Sequence, residues 1–361
     1  MSEESGSRRP LKGRGALSNP AGRFESAAVE AVDDGWYMEE QPDSIATSLQ
    51  PDRARGIIST NDSPDIPFDQ SINPYRGCEH GCVYCYARPS HAYMGLSAGL
   101  DFETQLFYKA DAAHVLRSEL ARPGYVCKPI MLGANTDPYQ PVERRMRVTR
   151  SILEVLTTSR HPVSVITKSA SVLRDLDLLT DLARNNLTSV SISITSLQTQ
   201  TKRTLEPRAA SPQARLTAIR KLAEAGVPVG VMVAPVIPAL TDHELEDILE
   251  AAAAARACWA GYVMLRLPYE VKDLFREWLA EHHPQRAAHV MSLIHDMRGG
   301  RDNDARFGTR MRGTGPVADL IRSRFTGACR RLGLESRRRM PLDTTLFRPP
   351  AGAGSQMTLE F

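Results

Sequence analysis

The chain has 361 residues, 42% of them hydrophobic and 6% aromatic, with a formal net charge of +3. That supplies apolar material for one large core with extensions, and the near-balanced charge singles out no partner. The longest apolar run, residues 226–240, holds 15 residues and three prolines. It is too short and too broken to cross a bilayer, so no membrane partner is expected.

Residues 1–60 are rich in Gly, Ser, Pro, Arg and acids and predict an irregular N-terminal arm. Their polar, Arg-rich start lacks the apolar stretch of a signal peptide, which predicts a cytoplasmic protein. From about residue 68 short apolar runs appear at 129–135, 163–168, 189–195, 227–235 and 262–267, with another near Ser71. Between them lie helical patterns at 142–158, 171–184, 212–225 and 242–257. Gly226 suits the C-cap of the third, and Thr241-Asp242 the N-cap of the fourth. Strands alternating with helices predict an α/β fold with a parallel sheet. Six strands fit a partial (β/α)6 TIM-like barrel over residues 61–297, with its site at the C-terminal strand ends; an open doubly wound sheet is the alternative.

Residues 298–350 predict a basic, helical C-terminal extension. Between Arg298 and Arg339 there are twelve Arg and no Lys against four acids, so this segment carries about +8 and the remainder about −5. Such a block either binds DNA or RNA phosphates or forms a solvated helical face. Residues 351–361 predict a flexible tail, Ala351-Gly352-Ala353-Gly354-Ser355 followed by Gln356–Phe361.

Six cysteines in a reducing compartment favour metal or redox use over disulfides. Three of them lie in Asn73-Pro74-Tyr75-Arg76-Gly77-Cys78-Glu79-His80-Gly81-Cys82-Val83-Tyr84-Cys85-Tyr86. Cys78, Cys82 and Cys85 have C-x3-C-x2-C spacing on one loop, within a segment spanning 73–88. Three such thiolates can hold three corners of an iron–sulfur cube. Gly77 and Gly81 suit a backbone that turns tightly around sulfurs. Cys127, Cys258 and Cys329 are scattered, which leaves one iron open to a small ligand. A zinc site completed by His80 or His91 is the competing reading.

The cysteine segment resembles the cluster loop of the radical S-adenosylmethionine (SAM) superfamily, over roughly residues 70–270. Within it the closest likeness is to a branch related to spore photoproduct lyase. The marks are Asn73–Cys78, Tyr84-Cys85-Tyr86-Ala87-Arg88, Asn135-Thr136-Asp137-Pro138-Tyr139-Gln140, Glu206-Pro207-Arg208 and Ala234-Pro235-Val236-Ile237-Pro238.

The resemblance implies a radical SAM barrel, a [4Fe–4S] cluster on Cys78, Cys82 and Cys85, and SAM chelated by the free iron. It implies an external one-electron reductant of flavodoxin or ferredoxin type. One electron would cleave SAM to methionine and a 5′-deoxyadenosyl radical that abstracts hydrogen from substrate. By the same resemblance Tyr84 contacts adenine, Asn135, Thr136 and Asp137 bind the SAM amino group, and Ser193 contacts the ribose. Arg203, with Arg208, pairs with the SAM carboxylate, and Pro235 presents backbone to adenine. Asp137 also reads as a helix cap, and Lys168 at a strand end as a partner for a carboxylate or phosphate. Photoproduct lyases return hydrogen from a Cys at the end of the second strand; here that position is Ala134, which argues against the lyase reaction itself. Tyr139 is a substitute donor. Gln356–Phe361 resembles the peptide with which bacterial repair proteins dock on the sliding clamp, with Gln356, Leu359 and Phe361 as anchors. The expected function is therefore hydrogen abstraction from an unidentified substrate, nucleic acid among the candidates, in DNA repair or modification. The alternative is an iron–sulfur module that binds nucleic acid or senses redox state without catalysis.

Overall fold

The computed structural model describes residues 10–24, 44–334 and 341–350. The tail peptide Gln356–Phe361 and the basic triplet Arg337–Arg339 lie outside the described residues. Ten strands form two sheets. The small sheet has the order β1 (Ser48–Pro51), β5 (Gln105–Tyr108), β4 (Tyr75–Arg76). The large one runs β10 (Trp259–Met264), β9 (Val229–Val236), β8 (Thr188–Ser193), β7 (Val163–Thr167), β6 (Ile130–Leu132), β3 (Gln70–Ile72), β2 (Ile58–Thr60). Its six strands from β3 to β10 are parallel and in sequential order, and β2 adds an antiparallel edge. The chain is thus an α/β fold whose six parallel strands form a partial barrel, as expected. The N-terminal arm is not wholly irregular, since β1 and β2 fall within it.

The connecting helices follow from apolar spacing. In α5 (Leu176–Arg184) the buried residues are Leu179 and Leu182, and in α7 (Pro212–Glu224) Ala218, Ile219 and Leu222 share a buried stripe. The Ser211 hydroxyl caps α7 by accepting from the Ala214 amide at 3.2 Å, and Gly226 follows its end at φ 78°. The helix expected at 142–158 is divided into α3 (Glu143–Met146) and α4 (Val148–Thr158) by Arg147, at φ 53°. The helix expected at 242–257 is shorter, a 3₁₀ turn at Asp242–Glu244 and then α8 (Leu245–Ala254). Helices α1 (Asp101–Thr104), α2 (Ala112–Leu120) and α6 (Thr199–Leu205) complete the barrel region. After β10 come α9 (Val271–His282), α10 (Pro284–Met297) and α11 (Gly315–Leu332). Among the described residues only α11 gives the basic extension helical character.

Alternation along the strands separates two faces. Val163, Val165, Val190, Ile192, Val229 and Val231 enter the main core under the helices. The opposite face carries Ser164, Ile166, Ser191, Ser193, Gly230, Met232 and Gly261, in register across β7 to β10. Small and hydroxylated residues there keep the concave side from filling with aliphatic bulk. That leaves a polar lumen beneath the C-terminal strand ends.

His161 lies in the core floor, fully buried, with Nε2 2.8 Å from the Tyr125 hydroxyl and Nδ1 3.0 Å from the Pro162 carbonyl. Burial lowers its pKa from 6.5 to about 4. A histidine depressed in the folded state is neutral when folded and binds its proton more readily when unfolded. Stability is therefore complete above about pH 6.5 and falls as pH drops towards 4. Denaturant unfolding at about pH 5 should show roughly 2 kcal/mol less stability than at pH 7 from this group. His161→Phe should flatten that portion of the profile; an unchanged pH dependence in the variant would contradict the assignment.

Candidate active site

The cluster loop leaves β3 at its C-terminal end, where a barrel places its chemistry. Its backbone is fixed from several sides. The Cys78 amide donates to the Phe102 carbonyl at 2.9 Å, Val83 to Leu205 at 3.2 Å, and Cys85 to Cys82 at 3.2 Å. Gln140 grips the loop on either side of Cys78, accepting from the Glu79 amide at 2.9 Å and donating to the Gly77 carbonyl at 3.1 Å. Gly77 has φ 76°, and a Cβ there would meet a Leu106 methyl at 2.5 Å, so only glycine serves.

A second layer sits behind the loop. The Arg88 guanidinium, fully buried, donates to the Cys82, Ala98 and Gly99 carbonyls and pairs with Glu103. The same carboxylate accepts the Gly15 amide at 3.0 Å and the Ala16 amide at 2.9 Å. Arg14 donates to the Glu103 carbonyl at 2.8 Å and to the Ile45 carbonyl at 2.6 Å. The segment Gly13–Ser18, part of the arm expected to be irregular, is thus a strap packed on the cluster loop. A Cβ at Gly15 would lie 1.8 Å from the Gly81 carbonyl oxygen.

Cys78 and Cys82 are buried and Cys85 is half-buried. Burial pushes the Cys82 thiol up to about 12 and Cys78 well above its ordinary value, so a metal must displace their protons to bind. Cys82 and Cys85 both act on the Cys78 thiol, and Cys85 on Cys82, so the three share one neighbourhood. Cys127 and Cys258 precede β6 and β10, at the opposite, N-terminal end of the sheet, and Cys329 is on α11. None can close the set. His80 Nδ1 lies 3.3 Å from Asp137 Oδ2, and His91 Nε2 meets the Gln105 carbonyl at 2.9 Å, while its buried Nδ1 has no hydrogen-bond partner. Among the described residues no three His, Cys, Asp or Glu converge on a single ion. Three thiols on one loop, with the other cysteines remote, are a donor set that fits a cube held at three corners.

Around the loop lies a buried network. Tyr84 donates to Glu206, which pairs with Arg215, and the Thr195 hydroxyl joins Glu206 at 2.8 Å. Burial opposes the Glu206 charge, but Arg215 and Lys168 outweigh it and hold the carboxyl down at about 2. Lys168 follows β7, with its Nζ 5.9 Å from the Tyr84 ring centre. Burial works against its ammonium too, and the neighbouring Cys82 and Glu206 keep it charged. No hydrogen bond is formed by Nζ among the described residues.

The other expected residues divide. Asn135 and Thr136 sit at the end of β6, their amides on the Asn73 side chain, and the Thr136 hydroxyl donates to the Tyr75 carbonyl at 2.7 Å. Asp137 accepts from the Tyr139 amide (2.9 Å), the Thr167 hydroxyl (2.6 Å) and the Lys168 amide (2.7 Å). Both its oxygens are used to tie β6 to β7, and His80 and these donors hold it down at about 2 against burial. Ser193 ends β8, buried on the lumen face. Pro235 is buried in β9 where the ladder to β10 skips a step between Val233 and Val236, as expected for a proline-bearing strand exit. Arg203 lies exposed on α6 with no partner among the described residues, while Arg208 pairs with Glu79 at 3.1 Å. Tyr139 is enclosed in the main core, which removes it as a hydrogen donor to the lumen. Glu103 and Arg215 were not anticipated, and Glu206 and Tyr86, though within the marked segments, had been given no role. The Tyr86 hydroxyl donates to the Ala134 carbonyl, so this tyrosine stands at the mouth next to Cys85.

A three-cysteine loop at the mouth of a six-stranded parallel partial barrel defines the radical SAM class of iron–sulfur proteins. Residues 72–252 match the radical SAM superfamily, and the chain belongs to it. An uncharacterized protein of Mycobacterium tuberculosis (strain H37Rv) is 39% identical over 275 residues, covering 73% of this chain and 81% of the relative. The radical SAM Nalpha-GlyT isomerase of Pseudomonas phage M6 is 24% identical over 61% of this chain and 42% of that protein. Spore photoproduct lyase complexed with dinucleoside spore photoproduct superposes with a TM-score of 0.57 at 16% identity, covering 79% of each chain. The fold is that of this lyase. The basic extension is largely spent internally. Arg306, Arg310, Arg322, Arg324 and Arg331 pair with acids of the chain, and Arg298 and Arg312 donate to backbone carbonyls. No helix of the described residues is long and apolar enough to cross a membrane.

Proposed function

We propose that the protein is a radical SAM enzyme that abstracts hydrogen from its substrate at the lumen mouth. The observation that supports this most directly is the open corner of the three-cysteine loop, beside a cation with no hydrogen-bond partner. Cys78, Cys82 and Cys85 would hold the cluster. When bound, the cluster and SAM supply one electron and a 5′-deoxyadenosyl radical. The chain's own part is to position and to exclude water. Lys168 presents its ammonium for the SAM carboxylate. Asn135, whose side chain makes no hydrogen bond among the described residues, and Ser193 offer polar contacts from β6 and β8. Tyr84 is locked by Glu206 and Thr195, which fixes its ring as a wall. Asp137 acts as a strut that sets Lys168 and His80. An external one-electron reductant, flavodoxin or ferredoxin in type, completes the requirement.

Anaerobically reduced protein should form 5′-deoxyadenosine from SAM, slowly without substrate. Lys168→Ala should weaken SAM binding by about 1.5–3 kcal/mol, roughly tenfold or more, with the iron content kept. Unaltered SAM affinity would remove Lys168 from the site. Absence of any SAM cleavage by the reduced, cluster-loaded wild type would favour the non-catalytic iron–sulfur alternative instead.

A further inference from the structure

Five Phe and Tyr side chains are exposed among the described residues: Phe24, Tyr86, Tyr93, Tyr269 and Phe307. Water penalises such rings unless another role holds them there. All five lie within 6 Å of an arginine. The Arg23 Cζ is 4.0 Å from the Tyr269 ring centre, 5.3 Å from Phe24 and 5.7 Å from Tyr93. The Arg266 Cζ is 5.5 Å from Tyr86, and the Arg310 Cζ is 4.5 Å from Phe307. The pairs are linked, since Arg310 lies close enough to Arg266 to act on its charge. Arg266 and Tyr269 share the loop that leaves β10 at the mouth, Tyr86 follows Cys85, and Tyr93 belongs to the turn of 3₁₀ helix that follows the cluster loop.

Arg266 is the unusual member. Its Nε is buried with no hydrogen-bond partner, and its Nη1 meets only the Met311 sulfur, at 3.7 Å. No carboxylate pairs with it among the described residues, because the nearby Asp65 is taken by Arg310 at 2.5 Å and by the Gly308 amide at 2.7 Å. Burial and the Arg310 charge both work against this cation. A guanidinium kept under those conditions, with its fork unfilled, is built to receive an anion from outside the chain. Anions alternating with flat faces are what a single nucleic-acid strand offers, its phosphates for arginine and its unpaired bases for aromatic rings.

We infer that the Arg–aromatic band across the barrel mouth binds single-stranded nucleic acid, with a backbone phosphate on Arg266 and bases on Tyr269 and Phe307, which leads the strand past Tyr86 to the reaction centre. This rests on the enzymatic reading above and names its substrate class.

The test is fluorescence anisotropy of a labelled single-stranded oligonucleotide, in DNA and RNA arms of one sequence, against the cluster-loaded protein and with a duplex as control. Binding by either single strand with weaker duplex binding is expected. Arg266→Ala should bind about tenfold more weakly and lose roughly 0.7 from the slope of log affinity against log salt. Arg266→Lys, which keeps the charge without the fork, should recover part of the affinity. Tyr269→Ala and Phe307→Ala should each lose about tenfold with no change in salt slope, because stacking carries no counterion release. Substrate-free 5′-deoxyadenosine formation should be unchanged in the Tyr269 and Phe307 variants. No wild-type binding at about 50 mM salt, preference for duplex, or wild-type affinity in all three alanine variants would overturn the inference. None of those results touches SAM cleavage by the wild type, which tests the enzymatic reading separately.

Discussion

Replacing Cys78, Cys82 or Cys85 by alanine is expected to remove the iron–sulfur centre entirely. Protein purified without oxygen should carry about four iron and four sulfide per chain, and each variant close to none. The magnitude follows from the geometry. All three thiols come from one short loop, and the remaining cysteines sit at the far end of the sheet or on α11. No other cysteine is placed to replace a lost one. Cys258→Ala, at an exposed position before β10, should leave iron content and visible absorbance as in the parent. A full cluster in Cys78→Ala would refute the ligand assignment.

Glu103→Ala should be the most destabilising single change near the site. Its carboxylate is fully buried, pairs with Arg88, and accepts two strap amides. Removal leaves a buried guanidinium uncompensated and two amides without acceptors. The expected cost is about 3–5 kcal/mol in denaturant unfolding. Limited proteolysis should then cut within residues 10–24, which the parent protects. Gly15→Ala attacks the same contact from the other side, since its Cβ would overlap the Gly81 carbonyl. Parent-like unfolding and digestion in both variants would show that the strap is dispensable.

The strands were readable because each is a short apolar run between polar helical patterns, and their parallel order follows from that alternation. The three loop cysteines were readable as a set because they are neighbours in sequence, with glycines where the loop must turn. What lay hidden is long-range. Glu103 and Gly15 are 88 residues apart, and Tyr84 and Glu206 are 122 apart. A buried ion pair leaves no periodic mark in a sequence, so the Gly13–Ser18 segment read as loop composition. Local patterns also misplace residues whose helix turns them outward. Arg203 belongs to the segment after β8 that was expected to face SAM, yet α6 sets it on the surface. Asp137 shows the converse. Its position at a strand end was legible, but only the structure shows that three protein donors fill its oxygens. The break at Arg147 has no glycine or proline to announce it; I-to-i+4 pairing is interrupted by a left-handed residue between two helices.

The strap also orders events during synthesis. Its residues leave the ribosome among the first described, but their partners come much later. The Ser18 hydroxyl reaches Glu277 at 2.6 Å across 259 residues, and Glu103 and Gly81 also follow it. The Glu103 contacts can form once residue 103 has been made, whereas the Ser18–Glu277 bond must wait for α9. The strap is therefore fastened in two stages, first to the cysteine-loop region and last to α9.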